Sequence, residues 1–272
     1  RPGWWPKFPD SVQEVLLGAL VRPHDLERRP QRPDRWPDAG MVLMRSRPAD
    51  GPEIWCWCDG GPHGYLSIAA HAHADALALE LRYDGTELLV DPGTYCYHGE
   101  PQWRSWFRST AAHNTLQLGG VDQSESGGPF LWTRPAGTTT LQCQVGDLPV
   151  QSWLAEHDGY LRLPVPARHR RSVSLDSVAR TLTVVDTLST SGPVPLSLAW
   201  HLGPDVAVEL EADRAQLVWS AGEHRRRAQL QLPTELTWSR YRAEKQPIRL
   251  VLTRFRPPDA HDIFDRNRNC FC

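Results

Sequence analysis

The chain has 272 residues, a formal net charge of −2, 40% hydrophobic residues and 23% charged residues. These values are typical of a globular protein with a sizeable core, and the balanced charge excludes a general attraction to nucleic acid or to an anionic membrane surface. No apolar run approaches the roughly 20 residues that span a bilayer, so the sequence predicts no membrane span.

Residues 1–42 are rich in proline and are predicted to be a helix followed by a linker. Ser11 and Glu14 form a capping-box pattern, and the apolar residues that follow have helical spacing, which predicts a helix over residues 11–21. Residues 22–37 are charged and proline-rich, as in an extended linker. We expect this segment to be the tail of a preceding domain.

From residue 41 onward the hydrophobic period changes to two. The predicted strands cover residues 41–44, 54–58, 77–83, 87–90, 115–118, 141–145, 172–175, 181–185, 196–200, 206–210, 216–219, 228–232 and 248–253. Many short strands without long intervening helices predict an all-β fold, a large antiparallel β-sandwich over residues 43–256. Residues 101–110 are predicted to form a short helix, and residues 257–272 a polar, weakly ordered tail.

The central part of the chain concentrates groups that bind metals or transfer protons. His71, His73 and Asp75 alternate, so an extended segment would project all three to one side, and Asp91 and His113 each adjoin a predicted strand. Two imidazoles and a carboxylate with an open fourth position are a familiar zinc arrangement. The alternative is that these side chains are hydrogen-bonded locally and hold no metal.

The strand register limits how these residues can meet. Asp84-Gly85 favours a two-residue type I′ turn, which would place Asp91 opposite Ala78. His73 would then lie five residues away, about 16 Å at strand rise. We therefore expect residues 71–75 to form a loop or a bent strand end, or a β-bulge to shift the register.

Residues 65–132 resemble the heparinase II/III-like family of polysaccharide lyases. The resemblance depends on an ordered set of motifs: His-x-His-x-Asp from His71, Val-Asp-Pro-Gly-Thr-Tyr from Val90, and Trp-Arg-x-x-Phe-Arg-x-Thr-x-x-His-Asn-Thr from Trp103. It continues more weakly to about residue 215. The set is specific enough to make chance similarity a poor explanation.

The resemblance implies a zinc-supported lyase that acts on acidic, uronate-containing polysaccharides by β-elimination. His71 matches the family's catalytic histidine, and His73, Asp91 and His113 match its zinc ligands. In some members the histidine matching His113 is assigned to the active site instead, so both roles stay open for it. The resemblance implies a bacterial protein, and we expect it in the periplasm or outside the cell.

The resemblance also implies that a second domain of the same protein contributes to the active site. Family members place an N-terminal α/α toroid before the β-sandwich, and the toroid supplies a catalytic tyrosine and a charge-neutralising asparagine. Residues 1–42 could hold at most its last helix. We therefore expect the isolated chain to have little or no lyase activity.

Four further residues are predicted to bind substrate. Arg104 and Arg108 are four residues apart, so on a helix they would share a face and could reach sugar carboxylates; structural arginines are the alternative. Asn114 and Gln123 are placed with them as hydrogen-bonding residues, although Gln123 could equally belong to a structural turn.

Three histidines outside this region, His157, His169 and His201, are predicted to be structural.

Two other functions compete with the lyase hypothesis. A non-catalytic carbohydrate-binding sandwich would use exposed tryptophans, of which the chain has 12 in all. A zinc hydrolase is suggested by His-x-His-x-Asp, but that motif continues with a histidine where this chain has Ala76. The alternation of strands and helices expected for such a hydrolase is also missing from the sequence.

Overall fold

The fold is taken from a computed structural model, which describes residues 33–65, 68–221, 224–234, 237–241, 249–254 and 269–271. The helix predicted over residues 11–21 lies outside these residues. Within them the α-helix is α1, Pro101–Phe107, inside the predicted 101–110 segment. None of the described helices has the length and apolarity that a bilayer crossing requires.

The rest of the described structure is built from strands joined by short turns. In chain order the strands are β1 (Arg35–Trp36), β2 (Met41–Arg45), β3 (Ile54–Asp59), β4 (Leu79–Tyr83), β5 (Thr86–Leu89), β6 (Leu116–Leu118), β7 (Glu125–Gly128), β8 (Leu131–Arg134), β9 (Thr138–Gln144), β10 (Val150–His157), β11 (Ala167–Asp176), β12 (Thr181–Thr190), β13 (Leu196–His201), β14 (Ala207–Leu210), β15 (Arg214–Ala221), β16 (His224–Gln231), β17 (Thr237–Tyr241), β18 (Arg249–Arg254) and β19 (Asn269–Phe271).

These strands form antiparallel sheets, which confirms the predicted all-β sandwich class. The first sheet is a meander in the order β1-β2-β3-β4-β5, and the largest has the order β14-β15-β16-β19-β12-β11-β10-β9. A third sheet has the order β17-β18-β13-β6, and β7 pairs with β8 alone.

One hydrophobic core joins the three larger sheets. Leu81 of the first sheet, Trp153 of the largest sheet and Trp200 of the third belong to the same buried cluster. The strands alternate as a sandwich requires: in β3 Ile54, Cys56 and Cys58 are buried, while the residues between them are half-buried on the opposite face. Burial of a large apolar side chain contributes roughly 1.5–3 kcal/mol, so this shared core stabilises the packed sheets.

The β4–β5 hairpin sets the position of the central histidines and aspartates. Asp84 and Gly85 have φ values of 50° and 78°, as a type I′ turn requires, which confirms the predicted turn. The pairing then shifts by one residue between Leu81 and Arg82, a β-bulge. Strand β4 begins only at Leu79, so residues 71–75 form a loop, and the expectation of a loop is confirmed.

The strand-forming part of the chain extends beyond both predicted boundaries. A compact unit begins at Asp34, and β1 pairs with β2, so residues 34–42 belong with the strands rather than with a linker. At the other end β19 pairs with β12 and β16, so part of the predicted tail is a strand inside the largest sheet.

Candidate metal centre and active site

Three of the predicted site residues meet where strands of two sheets end. His73 lies in the loop before β4, Asp91 follows β5, and His113 ends the 3-10 turn that precedes β6. One ligand atom from each lies within 4.8 Å of the others. The rings of His73 and His113 are 5.2 Å apart, and His113 Nδ1 is 2.5 Å from Asp91 Oδ2.

The surroundings give the two histidines different protonation states in the metal-free protein. Burial acts to lower the pKa of His113, but the carboxylate of Asp91 and its hydrogen bond outweigh burial and raise that pKa to about 9. Burial and the charge of His113 lower the pKa of His73 to about 3. Burial would raise the pKa of Asp91, but His113 lowers it to about 2. His113 is therefore an imidazolium paired with a carboxylate, beside a neutral imidazole.

This arrangement fits a bound cation. His113 is fully buried, and its Nε2 has no hydrogen-bond partner in the described structure, which typically costs about 1–3 kcal/mol. A metal ion could replace the proton of His113, and two imidazoles with one carboxylate suit zinc better than calcium or magnesium. Local hydrogen bonding is present as well, since Thr94 Oγ1 lies 3.4 Å from His73 Nε2.

His71 is separated from this group although it is only two residues from His73. Its side chain is exposed and makes an edge-to-face contact with Tyr97, with ring centroids 5.5 Å apart. Asp75 is not one of the three grouped residues either. Its surroundings desolvate it and raise its pKa to about 7, and its charge acts on His113. The loop therefore presents one histidine outward and one inward.

The sequence profile described as Heparinase II/III-like, C-terminal, matches residues 28–267. The chain belongs to this family. A heparin-sulfate lyase from Bacteroides stercoris is 35% identical over 108 residues, which cover 38% of this chain and 14% of that protein.

Solved structures of lyases related to this heparinase II/III-like chain have the same fold. The heparan sulfate lyase HepC from Pedobacter heparinus superposes with a TM-score of 0.67 and 18% identity, covering 91% of this chain and 38% of that one. A heparinase III gives a TM-score of 0.64 and 18% identity, covering 91% and 37%. The chain thus spans less than two fifths of the length of these relatives.

Arg104 and Arg108, which were predicted to bind substrate, are both buried. Their exposed fractions are 1% and 2%, and both donate to backbone carbonyls. Arg104 donates to the oxygen of Ala70 at 3.2 Å and Arg108 to that of Ala72 at 3.5 Å. The two arginines therefore hold the backbone on either side of His71, and their contact with sugar carboxylates stays a prediction.

Asn114 and Gln123 are also buried and bonded to the backbone. The amide of Asn114 donates to the oxygens of Leu79 and Val90 at 2.9 and 3.0 Å, and Gln123 Nε2 donates to that of Ala76 at 2.9 Å. Both amides thus bond the backbone around the site, and their contact with substrate stays a prediction.

Two aromatic residues close to His71 were not among the predicted site residues. Tyr97 keeps 43% of its surface exposed and stacks at 6.3 Å on Phe130, which lies between β7 and β8. Tyr97 lies two residues after Tyr95, the last residue of the Val-Asp-Pro-Gly-Thr-Tyr motif. In an extended segment the two side chains would share a face, and this spacing could have indicated that Tyr97 belongs to the site. No sequence pattern indicated Phe130, because it is the β7–β8 hairpin that brings this residue close to Tyr97.

The histidines predicted to be structural are buried and hydrogen-bonded, as expected. His157 Nε2 lies 3.2 Å from His169 Nδ1, and His169 Nε2 lies 2.7 Å from Asp186 Oδ1. His201 Nε2 is 3.1 Å from the oxygen of Ala111. Burial lowers the pKa of both His157 and His169.

His157 is expected to make folding less favourable as the pH falls. Its folded-state pKa lies well below the unfolded value, so below that value the unfolded chain binds a proton that the folded chain excludes. A His157→Gln variant can keep both hydrogen bonds without titrating. Between about pH 6 and pH 5, wild type should lose about 1.2 kcal/mol of unfolding free energy relative to this variant, given an ordinary histidine pKa of about 6.5 in the unfolded chain. Urea unfolding measures the difference; an equal pH dependence of the two proteins would contradict it, and His224→Gln, at an exposed position, is the control.

Proposed function

We propose that this chain is the C-terminal β-sandwich part of a polysaccharide lyase that cleaves a uronate-containing polysaccharide by β-elimination. The observation that carries the proposal is the exposed His71 beside the buried group of His73, Asp91 and His113. Family membership supports the reaction class, and the relatives named as heparin-sulfate and heparan sulfate lyases support an acidic polysaccharide as substrate.

The reaction defines what the residues must do. The C5 proton next to the uronate carboxylate is removed, its electron pair forms the C4–C5 double bond, and the C4–O bond breaks as the leaving oxygen takes a proton. The step needs a base, an acid and positive charge or hydrogen-bond donors near the carboxylate. His71 is exposed and an imidazole can accept or donate a proton near neutral pH, so it is proposed as the catalytic residue.

His73, Asp91 and His113 are proposed to hold a zinc ion. A zinc ion there would supply a fixed positive charge close to the reacting sugar. The residues of this chain keep His73 neutral by burial and Asp91 ionised by its contact with His113, and these are the protonation states in which they bind metal. His113 is assigned to the metal rather than to the substrate, because it is fully buried.

The remaining catalytic groups are proposed to come from a helical domain in the same protein. The chain spans only 14–38% of the relatives compared above, which leaves most of their length for other domains. A tyrosine and an asparagine of that domain would act opposite His71.

The metal assignment predicts stoichiometric zinc binding. Wild-type protein dialysed against zinc should retain about one ion per chain, and His73→Ala should bind zinc more than about 100-fold less tightly, since loss of an outer partner alone costs roughly 10–100-fold. Zinc content and competition with a chromogenic chelator measure this, and His98→Ala, at an exposed histidine, is the control. Wild-type protein that retains no zinc would overturn the ligand assignment.

A further inference from the structure

A fully buried arginine of the largest sheet bonds the backbone near the proposed metal centre. Arg171 of β11 forms a two-pronged ion pair with Asp186 of β12, with Nε to Oδ1 at 2.7 Å and Nη2 to Oδ2 at 2.9 Å. Its Nη1 donates to two backbone oxygens, that of Leu77 at 2.8 Å and that of Asn114 at 2.6 Å. One guanidinium therefore joins a strand pair to two separate chain segments.

Both of these segments carry groups of the metal centre. Leu77 lies at the end of the loop that bears His73. Its φ is 61°, a left-handed conformation that is unfavourable for leucine unless neighbouring contacts stabilise it. Asn114 directly follows His113, and its side chain donates to the oxygen of Val90, the residue before Asp91. Arg171 and Asn114 thus hold the backbone directly beside His113 and Asp91, and Arg171 also holds it four residues after His73.

A chain of hydrogen bonds holds the partner of Arg171 in place. The backbone N–H of Gly159 donates to His157 Nδ1 at 3.2 Å, so the proton of that neutral ring is on Nε2, which donates to His169 Nδ1. His169 must then carry its proton on Nε2 and donate it to Asp186 Oδ1. Asp186 receives this bond and two from Arg171, so its position is fixed from both sides.

We propose that Arg171 is a positioning residue for the metal centre, and that Asp186, with His169 and His157 behind it, orients Arg171 for that role. The inference rests on the proposed zinc site. The carbonyl bonds of Arg171 set where the loop and the start of β6 lie, and through them the distances among His73, Asp91 and His113. Loss of those two bonds should loosen the ligand geometry without removing any ligand.

Arg171→Lys tests this role, because the single nitrogen of lysine can keep a charge opposite Asp186 but cannot at the same time replace the Nη1 that bonds both carbonyls. Zinc affinity should fall about 10–100-fold, the usual effect of losing an outer partner of a metal site. Arg180→Lys is the matched control: Arg180 follows the same strand, β11, and also donates to backbone oxygens, those of Asp50 and Pro52, which adjoin no ligand. It should leave zinc affinity unchanged.

The unfolding free energy of each metal-free variant is measured in parallel, so that a general loss of stability is separated from a loss of affinity. If Arg171→Lys does not fold, Arg171→Gln combined with Asp186→Asn replaces it, since this pair removes both charges together and should show the same loss of affinity. If a folded variant of either kind binds zinc as tightly as wild type, the positioning role is wrong, while the proposed metal site is unaffected. Absence of zinc binding in wild type would overturn both.

Discussion

Replacement of His71 by alanine is expected to lower the β-elimination rate about 10²–10⁴-fold, the usual contribution of a positioned acid or base. His71 is exposed and lies outside the group of three ligand atoms, so zinc content should not change. The measurement is the ultraviolet absorbance of the unsaturated uronate product, in a form of the protein that is active on an acidic polysaccharide.

His98→Ala is the matched control for this experiment. His98 is also exposed and its ring lies 5.4 Å from that of Phe130, so it shares the aromatic surface that contacts His71. It should keep most of the turnover. Retained turnover in His71→Ala would contradict the catalytic role, whereas lost turnover with retained polysaccharide binding separates the lyase from a carbohydrate-binding module.

Asp186→Ala is expected to lower the free energy of unfolding by about 3–5 kcal/mol, the usual effect of leaving one partner of a buried ion pair uncompensated. The variant leaves the buried charge of Arg171 and the Nε2–H of His169 without their carboxylate partner. Urea unfolding of the metal-free protein measures the change.

Glu125→Ala provides the comparison at the surface. Glu125 lies 3.7 Å from Arg134, and both side chains are about half exposed or more, so the change should be about 0–1 kcal/mol. An Asp186→Ala variant as stable as Glu125→Ala would show that the network around Arg171 contributes little to folding.

Local patterns were sufficient to predict much of the fold. The strand predicted over residues 54–58 is β3, Ile54–Asp59, and the Asp84-Gly85 turn follows from the preference of this dipeptide for positive φ. The loop at residues 71–75 could be inferred because a straight strand would have kept His73 too far from Asp91. Chain geometry therefore predicted the loop, whereas the set of His73, Asp91 and His113 was implied by the family resemblance.

The burial of the predicted substrate-binding residues could not be predicted in the same way. Helical spacing indicates that Arg104 and Arg108 share a face, but not which face meets the core. Arg104 contacts Ala70, 34 residues away, and Arg108 contacts Ala72, 36 residues away. Strands β1 and β19 could not be predicted either, because they are too short to show a hydrophobic period. They are recognised as strands by their pairing with β2 and β12.

The placement of the three proposed ligands has a mechanical consequence. His73 and Asp91 flank the β4–β5 hairpin of the first sheet, whereas His113 leads into β6 of the third. An ion held by all three would cross-link two sheets and close a loop through the hydrophobic core, much as a disulfide does. Binding to the folded state alone would then add RT ln(1 + [Zn]/Kd) to its stability. The concentration of available zinc would thus affect the stability of the sandwich as well as the reaction at the site.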